Sequence, residues 1–208
     1  MTGIIILAAG GSSRLGQPKQ NLKFKGKSLL QNTISEAAKA KIGPVILVLG
    51  SEFENISKVI NKNLVQILNN TEWNEGISSS IRCGLMHLMK TENDLKNVLF
   101  LLCDQPFVDS ELITNIFKEK DHSGKRIVAS SYNNTLGVPA LFEDTYFPEL
   151  LFLTGNEGAK KIIYKHRHEV AAVPFPKGVI DIDTQDDLDK LRGASNEINE
   201  NSINTPTP

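Results

Sequence analysis

The sequence predicts a three-layer α/β/α domain, with helices on both faces of a mixed, mostly parallel sheet. Three observations lead there. Short apolar runs alternate with stretches of helical period along most of the chain. The runs are continuously apolar, as strands covered on both faces are, rather than alternating apolar and polar. The later runs are shorter and more irregular, which predicts some antiparallel pairing near the end.

Taken in order, residues 3–9 read as the first buried strand and end in a Gly-Ser loop. Residues 28–40 read as a helix with Leu29, Leu30, Ile34, Ala37 and Ala38 on one face. Residues 45–49 and 65–68 are the second and third strands. Residues 78–89 place Ile81, Leu85, Leu88 and Met89 at helical spacing. Residues 98–103 form a fourth strand, followed by a helix over 112–120. Shorter strands are expected at 127–131 and 140–142, a helix at 158–166 and a strand at 169–173. Thr184 and Asp187 have the spacing of a capping box, with Asp in place of Glu, so a final helix is expected to open there. Residues 1–192 thus make one domain. Over 193–208 the composition turns to Asn, Ser, Thr, Glu and Pro, which predicts a flexible tail.

Composition narrows the function classes. The 208 residues suit one large domain that buries its own core. Lys plus Arg number 23 and Asp plus Glu 24, a net charge of −1. That balance argues against a nucleic-acid coat and a polybasic membrane binder. Two cysteines exclude a disulfide framework and fit a reducing cytoplasm. The longest apolar runs, 4–9 and 98–103, fall far short of the roughly 20 residues of a membrane span. With no basic residue before it, the first run is also a poor secretion signal.

The chemistry concentrates where the first strand ends. Gly10, Gly11, Ser12, Ser13, Arg14, Gly16 and Lys19 follow it directly. Ligands of open α/β sheets bind outside the carboxyl ends of the strands. Glycines there let backbone N–H groups approach phosphate oxygens. Arg14 and Lys19 add fixed positive charge, so the loop reads as an anion site. It is not a Walker loop, because Gln17 and Pro18 stand where Lys and Ser or Thr are required. Nor do Gly10, Gly11 and Gly16 fit the dinucleotide pattern G-x-G-x-x-G.

The stretch LAAGGSSRLGQPKQ resembles the signature of the MobA-like nucleotidyltransferases. NTEWNEGISSSIRCG (70–84), LLCDQP (101–106), Gly137-Val138-Pro139, GNEGA (155–159) and DIDTQDDL (181–188) match further motifs in order. The likeness covers residues 3–192, and within the superfamily it is greatest to molybdenum cofactor cytidylyltransferases. It implies a Rossmann-like sheet of the nucleotide-diphospho-sugar transferase type. It also implies that Leu7, Ala8, Ala9 and Gly10 offer backbone groups to the base, while the loop from Gly11 through Lys19 takes the phosphates. Ser80 is either a nucleotide contact or, with Ser78 and Ser79, part of a helix cap. Guanylyl-transferring relatives usually carry Gly where this chain has Ala9, so the resemblance favours CTP. A Cβ narrowing the base slot would be the physical reason.

Asp104 closes an apolar strand at the ligand edge, where Mg²⁺ chemistry on a triphosphate needs one or two carboxylates. By resemblance Asp183 is the second metal ligand, and Asp181 caps or orients. Gly137, Pro139, Gly155 and Asn156 would face the acceptor, with Asn156 departing from the Asp that relatives often carry. Cys83 and Cys103 read as buried structural thiols, His166 and His168 as part of a solvated helix end, and Trp73 as a loop aromatic. The expected reaction is Mg²⁺-dependent transfer of CMP from CTP to the terminal phosphate of a molybdopterin-type acceptor, with a molybdoenzyme as eventual recipient. The same chemistry with GTP or another acceptor is a close alternative. A non-catalytic protein that binds a molybdenum cofactor and passes it on is one of a different class.

Overall fold

The apolar run at the N-terminus forms β1 (Thr2–Ala8), buried at every position. Its side chains alternate between two cores. Ile4, Ile6 and Ala8 join one apolar cluster, and Ile5, Leu7 and Ala9 the other. This two-residue period is what a strand covered on both faces requires. The computed structural model describes residues 1–10, 22–24 and 26–180.

β2 (Lys23–Phe24) and β3 (Lys27–Ser28) form a small antiparallel hairpin that the apolar pattern does not announce. α1 (Leu29–Ala40) starts at Ser28 with a full capping box. The Ser28 N–H donates to Gln31 Oε1, and the Gln31 N–H to Ser28 Oγ, both at 3.1 Å. β4 (Val45–Leu49) follows, then a single helical turn, α2 (Phe53–Ile56), and β5 (Gln66–Asn69). α3 (Ile77–Thr91) leads into β6 (Asn97–Leu102). α4 (Ser110–Ser123) is capped by Asp109, whose carboxylate accepts from the Leu112 N–H at 2.8 Å. β7 (Ile127–Tyr132), β8 (Thr135–Glu143), α5 (Phe147–Leu151), α6 (Ala159–Lys165) and β9 (Val170–Pro174) complete the described elements.

Seven strands form the main sheet in the order β5-β4-β1-β6-β8-β7-β9. β1 pairs in parallel with β4 and β6, and β7 with β9; β8 runs antiparallel to β6 and β7. The mixed, mostly parallel three-layer sheet expected from the sequence is present. α1 and α4 cover one face, and α3, α5 and α6 the other.

Several local expectations are corrected. β8 has nine residues, the longest strand described, where only a short run at 140–142 was expected. Gly137 and Pro139 hide its first half, because both residues normally end a strand. They fall at an irregularity: Ala129 opposes Ala140 but Ser130 opposes Gly137, leaving Val138 and Pro139 unpaired, with a cis bond between them. Met89 is 47% exposed, so it does not share the buried face of α3; Ser78, Ser79, Ser80 and Gly84 do. The short α5 and the single-turn α2 lie below the length at which periodicity speaks. The helix expected from Thr184 and the tail at 193–208 lie outside the described residues.

Candidate nucleotide site at the strand ends

Four parallel strands deliver their carboxyl ends to one edge. The chain leaves β1 for β4 and β5 on one side, then returns to place β6 on the other. The order therefore reverses around β1, and such a switch point is where open α/β sheets bind ligands. Ala9 and Gly10 continue β1, Gly50 continues β4, Asn70 continues β5, and Cys103 and Asp104 continue β6. Asp104 is half-buried there, while Gln105 beside it is buried.

Backbone packing at this edge is tight. A Cβ on Gly50 would lie 2.6 Å from the Ala9 carbonyl oxygen and 2.5 Å from Trp73 Cβ. Glycine at 50 therefore lets the ends of β1 and β4 and the turn at Trp73–Glu75 approach one another. Leu7, Ala8 and Ala9 are buried, and Gly10 is exposed. The Ala9 Cβ belongs to the cluster under α3. The methyl at 9 therefore packs into the core on that face of the sheet, where a Cβ narrowing an open base slot was the expectation.

The serine run is not a cap. Gly76, with φ of +110°, precedes α3, and the serines lie within its first turn. Ser80 is buried, and its hydroxyl accepts from Asn70 Nδ2 at 3.0 Å; Ser79 Oγ accepts from the same amide at 2.9 Å. Asn70, whose N–H donates to the Leu49 carbonyl, thus ties the end of β4 to the start of α3.

The structure brings two sequence motifs together here. The Ser78 N–H and hydroxyl both donate to the Gly155 carbonyl, at 3.2 and 2.8 Å. Gly155 and Asn156 are exposed and lie against Gly76. Gly137 and Pro139 are instead buried in β8. Their irregularity is held by side chains. The Val138 carbonyl accepts from Gln105 Nε2 at 3.1 Å and from the Tyr132 hydroxyl at 3.3 Å, and the Pro139 carbonyl accepts from Ser130 Oγ at 2.9 Å. β8 is thereby joined to the loop that carries Asp104. Gly11, Ser12, Ser13, Arg14, Lys19, Asp181 and Asp183 lie outside the described residues.

Two secondary expectations change. Cys103 is buried, but Cys83 is only half-buried; burial, with the nearby Glu72 carboxylate, pushes its thiol pKa up. His168 is exposed as expected, but His166 is half-buried: it packs on Tyr146 at 4.9 Å between ring centres and meets Glu149 Oε1 at 2.8 Å. Lys165 also contacts Glu149 at 2.8 Å, and this hydrogen bond leads the interactions that hold the Glu149 carboxyl below its usual pKa. Asn70, Gln105 and Arg82 all lie within motifs quoted above, yet only their buried or part-buried hydrogen bonds mark them as organising residues. Among the described residues no group of three or more His, Cys, Asp or Glu is arranged to hold a metal. A cavity of about 690 Å³ lined by Met89, Leu95, Phe147 and Phe152 lies by the start of β6, at the opposite edge. No described helix is long and apolar enough to cross a membrane.

A mostly parallel sheet with a topological switch point, a glycine-bearing β1 exit and a strand-end aspartate is the framework of a nucleotide-handling α/β protein. Residues 4–170 match the MobA-like NTP transferase domain, and the chain belongs to that family of nucleotidyltransferases. It is 25% identical over 205 residues to the purine catabolism protein PucB of Bacillus subtilis, covering 91% of this chain and 95% of that one. It is 24% identical to a probable molybdenum cofactor guanylyltransferase of the same organism, over 93% of this chain and 96% of that one. Among solved structures, Rv0371c of Mycobacterium tuberculosis is 28% identical with a TM-score of 0.79, covering 91% and 96% of the two chains. A manganese complex of Rv0371c is similar with a TM-score of 0.74, at 25% identity over 91% of this chain and 97% of that one.

Proposed function

We propose that the protein transfers CMP from CTP to the terminal phosphate of molybdenum-bearing molybdopterin, giving the cytosine dinucleotide and pyrophosphate. The observation that carries this reading is the switch point itself, where the β1 exit and Asp104 emerge from neighbouring strands at the carboxyl edge of the sheet. Family membership supplies the chemistry, and Ala9 in the base-facing motif favours cytosine. The relative named as a guanylyltransferase keeps GTP as the competing nucleotide.

An acceptor phosphate oxygen attacks the α-phosphorus, the bond to the bridging oxygen breaks, and pyrophosphate leaves with the electron pair. No general base is needed, since the attacking phosphate is already anionic. The backbone of Leu7, Ala8, Ala9 and Gly10, with Ser80 beneath, positions the base. Gly11, Ser12, Ser13 and Arg14 hold the β- and γ-phosphates. Lys19 neutralises charge that grows at the α-phosphate as the new bond forms. Gly137, Pro139, Gly155 and Asn156 shape the acceptor side, the first two by positioning backbone rather than by exposed contact.

Mg²⁺ suits this donor set, because it takes one or two carboxylates and leaves its other positions to phosphate oxygens and water. Asp104 and Asp183 would hold it, and it would supply charge neutralisation across the phosphates. The manganese complex of Rv0371c supports a divalent ion. The test is pyrophosphate release and dinucleotide formation with molybdopterin and each of CTP, GTP, ATP and UTP. CTP should lead GTP in kcat/KM by roughly 10²-fold, the upper end of what an unpaired base-edge group costs. Equal efficiencies refute the cytidylyl reading, and no pyrophosphate with any nucleotide refutes transfer altogether.

A further inference from the structure

We propose that Arg82 is a positioning residue for the second substrate, fastening the loop at 153–156 to the nucleotide-side end of α3. This rests on the transferase reading above and adds a residue and a role to it.

The geometry places the loop at the ligand edge. α3 follows the carboxyl end of β5, so its N-terminus opens onto the edge where Gly50, Asn70 and Asp104 emerge. The loop is docked on that N-terminus, its Gly155 carbonyl accepting from the Ser78 N–H and hydroxyl. Arg82, one turn further along α3, reaches back to three partners. Nη1 donates to the Leu153 carbonyl at 2.7 Å and to Ser78 Oγ at 3.3 Å, while Nη2 meets Glu75 Oε2 at 2.6 Å. The Arg82 side chain is 22% exposed and the Glu75 carboxylate 49% exposed. One guanidinium therefore spans the turn before α3, the first turn of α3 and the loop that leads to α6. A planar fork with fixed donors does this where an ammonium cannot.

Gly76 completes the fit. Its φ is +110°, and a Cβ there would run into the Gly155 carbonyl and lie 2.6 Å from Asn156 Oδ1. Continuing inward, Ser79 and Ser80 accept from Asn70. Hydrogen bonds and the first turn of α3 thus form a chain from the end of β4 to the exposed Gly155. The nucleotide side and the outer side of the ligand edge are set relative to each other by this chain, and reactive alignment depends on such placement to within about 1 Å.

The experiment compares wild type, Arg82→Met and Arg82→Lys in steady-state transfer from CTP to molybdopterin, together with hydrogen exchange of the amides at 153–158. Arg82→Met should raise acceptor KM by about tenfold or more, with much smaller changes in nucleotide KM, since it loosens one side only. Arg82→Lys should recover part of that loss. Amides at 153–158 should exchange faster in Arg82→Met while those of β1 and β4 keep their protection. Unchanged acceptor KM in a folded Arg82→Met, or an equal rise in both KM values, overturns the role. Should Arg82→Met fail to fold, Glu75→Gln removes one partner from a half-exposed position and is expected to give the same split in smaller measure; no split overturns the proposal. A wild type that transfers nothing refutes the functional reading, and exchange at 153–158 then decides on Arg82 alone, with unchanged protection overturning it.

Discussion

Gly50→Ala tests the close approach of the ends of β1 and β4. The added Cβ would sit 2.6 Å from the Ala9 carbonyl oxygen, and 2.5 and 2.7 Å from Trp73 Cβ and Cγ. Such separations do not persist, so atoms must move. Trp73 is 38% exposed, so its ring can swing outward, but its Cβ can move only with the turn at Trp73–Glu75. The Ala9 carbonyl cannot move without dragging the exit of β1, which the proposed reading places against the base. Overpacking of this kind costs about 1–3 kcal/mol. For a chain of this size each kcal/mol lowers Tm by roughly 2–4 °C, so a fall of about 2–12 °C is expected. Nucleotide KM should rise about tenfold, the equivalent of about 1.4 kcal/mol, while acceptor KM holds. Thermal unfolding and steady-state kinetics read both effects. Adding Trp73→Gly should return part of the Tm by removing the Cβ on one side of the clash, but not the nucleotide KM, because the Ala9 carbonyl remains displaced. An unchanged Tm together with an unchanged nucleotide KM would refute the close approach of the two strand ends.

Asp104→Asn should keep the fold and lower turnover by roughly 10²–10³, as loss of a preorganised charge-stabilising group does; a near-wild-type rate with Mg²⁺ removes Asp104 from the metal. Lys19→Ala should lower kcat more than it raises nucleotide KM, because its contact strengthens as charge builds; a change in KM alone makes it a binding residue only. The Glu149 carboxyl is held below its usual pKa by Lys165 first, against burial and with help from His166. It therefore contributes stability above the unfolded carboxyl pKa of about 4.3, and loses it as pH falls through the lower folded value. Glu149→Gln should be less stable than wild type near neutrality and should show a smaller loss of Tm on acidification below that range. Parallel Tm curves for the two proteins across this range would remove the Glu149 clasp from acid stability.

Continuously apolar runs such as Ile4-Ile5-Ile6-Leu7 made the buried parallel strands legible, because only strands covered on both faces have no polar side. The helix expected over 28–40 is present, with Ser28 as its cap rather than its first helical residue. The hairpin β2–β3, the short α5 and the first half of β8 were not legible. Two-residue strands carry no period, and Gly137 and Pro139 look like strand breakers until Gln105, Tyr132 and Ser130 are seen to satisfy the carbonyls of the irregularity. The exposed Met89 shows the same limit in a helix: periodicity gives a stripe but not its width, which the neighbouring α5 decides.

The sequence by itself determined the layered α/β class and, through its motifs, the transferase family. Each of these is written in local composition and spacing. Only the tertiary structure decided that β8 runs against its neighbours, that Ser79 and Ser80 are held by Asn70, and that residues 153–156 dock on α3 through Ser78 and Arg82. Those facts join residues up to 77 positions apart. They depend on which surfaces the sheet order makes adjacent, and no local pattern of side chains carries that information.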